Sequence, residues 1–191
     1  MRYFIPQLWM AFQGPRRNAA FKKWDRRLKL YRKSLDKILP GLRPSARQFF
    51  RDALVLHDGT LTRMEVGDHI DQVEGGGTGD IVNRRKLRVR LFVLADVVKR
   101  RRITGKRWYI LEYTKVERID LNFPGKLKLF PIGFDTNFGD WGYDELTSPK
   151  QSLFRHEILF SSGATVTIDF RNCSVRRKPA RNVVRMRESP G

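Results

Sequence analysis

The sequence predicts an α+β protein, in which an N-terminal helical unit packs on an antiparallel β-sheet or half-barrel. Between Phe21 and Ile38, apolar residues recur at steps of three and four, which is the spacing of one helix face. From Leu87 to Val93 they alternate with Lys and Arg, as in a half-buried strand. Short turns between the later predicted strands favour antiparallel pairing over strand–helix–strand units.

The helical unit is predicted to span residues 1–55 and to hold two or three helices. A short helical turn is expected after Pro6. The long amphipathic helix should begin near residue 16 or 18 and end at Leu39, because Pro40 cannot continue it. A shorter helix is expected from Pro44 to about residue 52.

The β domain is predicted to span residues 56–177, followed by a basic flexible tail over residues 178–191. Glycines predict a loop at Asp68–Asn83, and polar content predicts a second loop at Phe134–Pro149. The run Gly75–Gly79 lacks the Lys-Ser/Thr pair of a phosphate-binding loop, so a plain loop is expected. The predicted strands are Thr60–Val66, Leu87–Val93, Arg107–Tyr113, Val116–Phe123, Lys126–Phe130, Ser152–Ser161 and Ala164–Arg171.

The net charge of +19 over 191 residues is unevenly distributed. Residues 1–50, 84–107 and 151–191 carry net charges of +11, +10 and +5, whereas residues 51–83 and 108–150 carry −5 and −2. The acidic blocks can neutralise only part of this surplus, which exceeds what solubility requires. The charge pattern therefore indicates an anionic partner.

The cations between the apolar residues of the long helix form the first candidate binding surface. They include Lys22, Lys23, Arg26, Arg27, Lys29, Arg32 and Lys33. A second cluster, in a predicted loop between strands, holds Arg100, Arg101, Arg102, Lys106 and Arg107. Phosphates attract such clusters without base selectivity. We expect a non-enzymatic binding protein for a polyanion such as DNA or RNA; a solvated cationic surface without a ligand is the alternative.

A second candidate is a polar or ligand cluster that consists of His57, Asp58, Tyr143, Glu145 and His156. Two histidines and two carboxylates could hold a metal ion. The spacing contains no His-x-x-x-His pair, so a hydrogen-bonded structural cluster is expected, with no metal and no cofactor. No Gly-x-Ser-x-Gly nucleophile turn occurs, and no catalytic residue is assigned. An enzyme would require these groups to converge in a pocket.

The single cysteine and the absence of long apolar runs constrain the location of the protein. Cys173 excludes an intramolecular disulfide and is expected to be a buried, inert thiol. No apolar run approaches the roughly 18–20 residues of a membrane-spanning helix, and no secretory signal is evident. The sequence therefore predicts a cytoplasmic protein without a membrane span.

Four stretches of the chain carry a resemblance to known proteins. They are Met1-Arg2-Tyr3-Phe4-x-Pro6-x-Leu8-Trp9, Leu56-His57-Asp58, Trp141-x-Tyr143-Asp144-Glu145 and His156-x-Ile158-Leu159-Phe160-Ser161-x-Gly163. They resemble an uncharacterised bacterial family of small cytoplasmic proteins, which implies a shared structural or ligand site but no established activity. The His-Asp and hairpin pattern is also similar to sheet-based bacterial immunity proteins, which implies a toxin-inhibiting role. The alternative function is therefore an immunity-like or other protein-interaction module that binds an acidic protein partner. The cationic helix departs from both groups.

Overall fold

Within the described residues, three α-helices precede six strands, which confirms the α+β class and the N-terminal position of the helices. The computed structural model describes residues 1–4, 6–11, 15, 17–52, 55–74, 81–99, 102–123 and 138–180. The helices are α1 (Pro6–Ala11), α2 (Arg17–Ile38) and α3 (Pro44–Arg51). The strands are β1 (Gly59–Glu74), β2 (Ile81–Lys99), β3 (Arg102–Asn122), β4 (Asp140–Lys150), β5 (Leu153–Phe160) and β6 (Thr165–Pro179).

The connection between α2 and α3 follows the predicted proline signals. A 3₁₀ turn at Leu39–Gly41 ends α2, and Pro44 lies in the first turn of α3, where its missing N–H is no cost. The Arg47 side chain donates to the carbonyl oxygens of Leu39, Pro40 and Leu42 at 3.0–3.2 Å and so fixes this turn. Among the described residues, no helix is both long and apolar enough to cross a membrane.

The six strands form a closed antiparallel barrel in the order β1-β2-β3-β6-β5-β4. Closure rests on two residue pairs between β1 and β4, Gly59 with Trp141 and Thr60 with Asp140. The sheet therefore closes further than the predicted half-barrel. By contrast, β1 and β2 pair along most of their length, from Thr60 to Glu74.

Two predicted boundaries in the first half of the sheet are wrong. The predicted loop Asp68–Asn83 is largely strand, because β1 continues to Glu74 and β2 begins at Ile81. The predicted strands on either side of Lys115 form one strand, β3, in which Lys115 has a φ of 55° beside a register shift. This irregularity breaks the sequence alternation without ending the strand. Gly75–Gly79 and Lys126–Phe130 lie outside the described residues.

The predicted loop Phe134–Pro149 is also wrong over its second half, which forms β4. β4 carries a register shift between Trp141 and Tyr143 that places Gly142 in a bulge against β5. The acidic and glycine residues of this strand resemble those of a loop, and the bulge interrupts the period of two. Residues 134–137 and 181–191 lie outside the described residues, and β6 extends two residues into the predicted tail.

Replacing Gly142 with Ala should destabilise the protein by about 1–3 kcal/mol, because an added Cβ would lie 2.9 Å from the Leu159 carbonyl oxygen. Gly67→Ala is the matched control, since a Cβ there meets nothing within 4 Å. We expect that variant to be unchanged or more stable by about 0.5–1 kcal/mol. Urea unfolding measures both changes, and equal stability of the two variants would contradict the role given to Gly142.

The helices and the barrel share one continuous hydrophobic core. From α2, Tyr31 and Leu35 are each 4% exposed, and Trp24, Leu28 and Ile38 are partly buried against the core. Phe21, predicted to face the same side, is 41% exposed. From α3, the Phe50 ring lies edge-on to His156 of β5, with centroids 5.0 Å apart. The end of α3 is therefore positioned beside the polar centre of the barrel.

Candidate functional site

A buried polar network lies where β3, β4 and β5 meet. His156 is fully buried on β5, opposite Leu146 of β4. The Tyr113 hydroxyl lies 2.7 Å from its Nδ1, and Asp144 Oδ2 lies 2.9 Å from its Nε2. The Trp141 indole N–H donates to the other carboxylate oxygen of Asp144 at 3.2 Å. Three strands thus supply one connected chain of hydrogen bonds.

Hydrogen bonds occupy both ring nitrogens of His156. If Tyr113 donates to Nδ1 and Nε2–H donates to Asp144, every proton of the chain has an acceptor. Burial raises the pKa of Tyr113, and the nearby charge of Asp144 contributes to the same shift. Apart from His156, no cationic side chain of the described residues lies within ion-pair distance of Asp144.

Glu145 binds the N-terminal segment, defined here as Met1–Phe4. Its carboxylate accepts hydrogen bonds from the backbone N–H groups of Arg2 at 2.7 Å, Tyr3 at 2.6 Å and Phe4. The Met1 amino group lies 2.6 Å from Glu157 Oε1 on the neighbouring strand. Two carboxylates of β4 and β5 thus hold four successive backbone positions. Glu145 is a structural clamp.

The predicted polar cluster does not converge at one point. His57 and Asp58 form a pair on the surface, with Nδ1 and Oδ2 2.9 Å apart, and the His57 ring lies 5.2 Å from that of Tyr143. His156 binds the side chains of Tyr113 and Asp144, and Glu145 holds the N-terminal segment. In the described part of the chain, no group of three or more His, Cys, Asp or Glu side chains could hold a metal ion.

Sequence reasoning missed the residues that connect the network. Asp144 fell in a predicted loop, and Tyr113 lies 43 residues from His156 along the chain. Tyr31 of α2 also reaches β4, where its hydroxyl accepts from the Leu146 N–H at 2.9 Å. Burial raises the pKa of Tyr31, and the charge of Asp144 is the next cause. Local signals predicted strands at both His156 and Tyr113, but not the contact between them.

A cleft opens beside this network, between α2, α3 and β4. Its enclosed space is about 40 Å³. Asp144 and Asp52 supply the charged groups of the described lining, which contains no Lys or Arg. Asp52 accepts from Gln48 at 3.2 Å and lies 3.7 Å from Arg177. The rings of the lining are Phe4, Trp24, Tyr31, Phe49, Phe50 and Tyr143.

The opposite side of α2 carries a row of cations. Lys22, Arg26, Lys29, Lys33 and Lys37 follow one helix face at steps of three and four residues. We call them the α2 cation row; it spans about 22 Å at the α-helical rise of about 1.5 Å per residue. All five side chains are exposed, as are Lys23 and Arg32. None of the seven forms an ion pair within the described residues.

Arg27, also predicted to bind the polyanion, is used within the fold. Its side chain is half-buried and donates from Nη1 to the carbonyl oxygens of Arg2 at 3.2 Å and Tyr3 at 3.0 Å. The N-terminal segment is therefore held by Glu145 through its N–H groups and by Arg27 through its carbonyl groups. Arg27 serves structure rather than an external ligand.

Of the second basic cluster, predicted in a loop between strands, the described residues Arg102, Lys106 and Arg107 lie in β3, so that prediction is wrong for these three. Arg100 and Arg101 lie outside the described residues, and Arg102 begins β3. Lys106 is exposed and Arg107 is half-buried. The β3–β6 register brings a third basic segment, Arg176–Lys178, to this end of the sheet, with Trp108 opposite Lys178. This juxtaposition depends on pairing between strands distant in sequence.

Comparisons of the chain with protein-family models, with curated proteins and with solved structures find no match. The resemblance to a bacterial family and to immunity proteins therefore stays a prediction.

Proposed function

We propose that the protein binds a polyanion, DNA or RNA, along the α2 cation row and catalyses no reaction. The row of exposed cations without internal ion pairs is the observation that supports this function. Like charges three or four residues apart destabilise a helix by about 0.2–0.5 kcal/mol per pair. Asp25 and Asp36 of α2 form no ion pair with these cations in the described structure. An external anion is the partner that relieves this repulsion.

The spacing of the row suits a phosphate backbone. A span of about 22 Å corresponds to roughly six base-pair steps of duplex DNA at about 3.4 Å each. Neutralisation of about five phosphates predicts a slope near −4.5 in a plot of log affinity against log salt concentration. Four of the five side chains are lysines, whose ammonium groups act as point charges, and the row holds a single arginine, Arg26. The expected binding is therefore independent of sequence.

Charge reversal of the row tests the proposal. The variant K22E/R26E/K29E/K33E should bind a random 20-base-pair duplex about 100-fold or more weakly at low salt, with a much smaller salt slope. The control K86E/R118E/K150E/R171E reverses four exposed cations of the barrel and changes the net charge equally. Its affinity should fall about tenfold at most, because these cations lie on the barrel rather than on α2. The exposed ion pairs of Arg118 and Arg171 that it removes contribute little to stability. Fluorescence anisotropy measures both.

Three outcomes would contradict the proposed function. The first is that the wild-type protein fails to bind duplex or single-stranded nucleic acid at low salt. The second is an affinity that does not change with salt concentration. The third is an equal loss of affinity in both variants. Equal losses would assign the attraction to net charge rather than to α2. Circular dichroism and thermal unfolding of both variants establish that each one folds, since all eight substituted side chains are exposed.

A further inference from the structure

The cleft between α2, α3 and β4 combines aromatic walls with a partly exposed carboxylate. Trp24 and Tyr143 are half-buried at its opening, with ring centroids 4.3 Å apart. The rings of Tyr31 and Phe50, both 4% exposed, line its inner part. Asp144 contributes a carboxylate whose side chain is 21% exposed. Such a surface attracts a cation through both ring faces and charge.

The described lining of the cleft holds the carboxylates of Asp52 and Asp144 and no Lys or Arg. The pKa of Tyr31 is raised mainly by burial, and the charge of Asp144 adds to that shift. Asp52 is already near a cation, since it lies 3.7 Å from Arg177, so Asp144 is the carboxylate that can receive a cationic ligand.

The chemistry of Asp144 selects among cations. Each of its oxygens already accepts one hydrogen bond, from Trp141 and from His156. A planar guanidinium requires two parallel acceptors and fits poorly, whereas an ammonium group acts as a point charge with three donors. Calcium requires about 6–8 oxygen ligands, and one carboxylate cannot supply them. The enclosed 40 Å³ admits a group the size of a few water molecules.

We propose that this cleft binds a primary alkylammonium group, with the ammonium at Asp144 and the alkyl stem against the rings of Trp24 and Tyr143. The ammonium pairs with the Asp144 carboxylate, which has no Lys or Arg partner within the described structure, and the stem leaves through the open side of the cleft. A neutral apolar ligand would instead remove water from the carboxylate without replacing it. This site is independent of the α2 cation row, whose side chains point away from the cleft lining.

Titration with n-butylammonium chloride tests the site on the intact protein, at constant ionic strength. The indole N–H resonance of Trp24, assigned with the Trp24→Phe variant, should shift saturably with a dissociation constant of about 1–10 mM. The neutral analogue 1-butanol should bind at least about tenfold more weakly. Equal binding of the two compounds to the wild-type protein, or no saturable shift with butylammonium, would overturn the proposal.

Two isosteric variants then locate the charge. Asp144→Asn can still accept from His156 and should bind butylammonium about tenfold or more weakly. Asp58→Asn is the matched control; its side chain is 77% exposed and paired with His57, so affinity should stay within about twofold. Equal losses in both variants would refute binding at Asp144. The variant K22E/R26E/K29E/K33E should keep its butylammonium affinity, which separates this site from the polyanion surface.

Discussion

Replacing Glu145 with Leu is expected to lower the free energy of unfolding by about 3–5 kcal/mol. The side chain is fully buried and accepts hydrogen bonds from the backbone N–H groups of three successive residues, 2–4. An orphaned buried donor costs about 1–3 kcal/mol. The N-terminal segment could escape this cost only by detaching, which would expose the Tyr3 and Phe4 rings at about 1.5–3 kcal/mol each. Whether the segment stays with unpaired N–H groups or detaches, the free energy of unfolding should fall by several kcal/mol.

Glu157→Leu is the control, because Glu157 lies next to Glu145 across β4 and β5 but contacts the segment only through the Met1 amino group. This single pair, 3% exposed at Met1 and 18% at Glu157, should contribute about 1.5–3 kcal/mol as one hydrogen bond between charged groups, less than the loss expected for Glu145→Leu. Chemical denaturation measures both variants, and hydrogen exchange of residues 2–4 reports detachment of the segment. Equal losses for the two variants would refute the clamp.

Protonation of Glu145 should also make the stability of the protein depend on pH. Burial raises the pKa of Glu145 above its ordinary value of 4.5, although hydrogen bonds from Phe4, Arg2 and Tyr3 oppose that shift. The native state thus holds this proton more tightly than the unfolded state. Its contribution is fully present below pH 4.5 and is lost as the pH rises through the higher native pKa. Glu145→Gln should lack this component in unfolding measurements between about pH 3 and 7.

The helical half of the fold was predictable because its signals are local. Apolar residues three or four positions apart predict α2. Pro40 sets its end, and Pro44 sets the start of α3. The β4 strand was missed because its buried polar residues replace the apolar alternation that identifies a strand. Glu145 is buried only because the N-terminal segment, more than 140 residues away in sequence, covers it. No local pattern encodes that contact.

The candidate site was likewise predictable where its signals are local and not where it depends on contacts distant in sequence. Alternation predicts a strand at His156, but its partner depends on the register of β3, β6 and β5, in which Tyr113 pairs with Cys173 and His156 with Ile168. The exposure of the α2 cations was predictable from the amphipathic pattern, with the exception of Arg27. That side chain turns inward because the carbonyl groups of Arg2 and Tyr3 offer acceptors.

Replacing His156 with Leu is expected to cost about 3–5 kcal/mol. The buried Tyr113 hydroxyl loses its acceptor, at about 1–3 kcal/mol, and Asp144 loses a charge-assisted hydrogen bond of about 1.5–3 kcal/mol. Leucine also removes the ring that packs edge-on against Phe50. Chemical denaturation measures the loss, with near-ultraviolet circular dichroism as the report on core packing.

The change in stability caused by Tyr113→Phe should have opposite signs in the wild-type and His156→Leu backgrounds. This difference distinguishes a hydrogen-bonded network from ordinary packing. In the wild-type protein the substitution orphans His156 Nδ1 and should cost about 1–3 kcal/mol. In the His156→Leu background it removes a hydroxyl that has no acceptor, so it should stabilise by about 1 kcal/mol. Tyr109→Phe, a buried tyrosine that packs on Phe49, should have the same effect in both backgrounds. If Tyr113→Phe destabilises both backgrounds equally, the hydroxyl and His156 are not coupled.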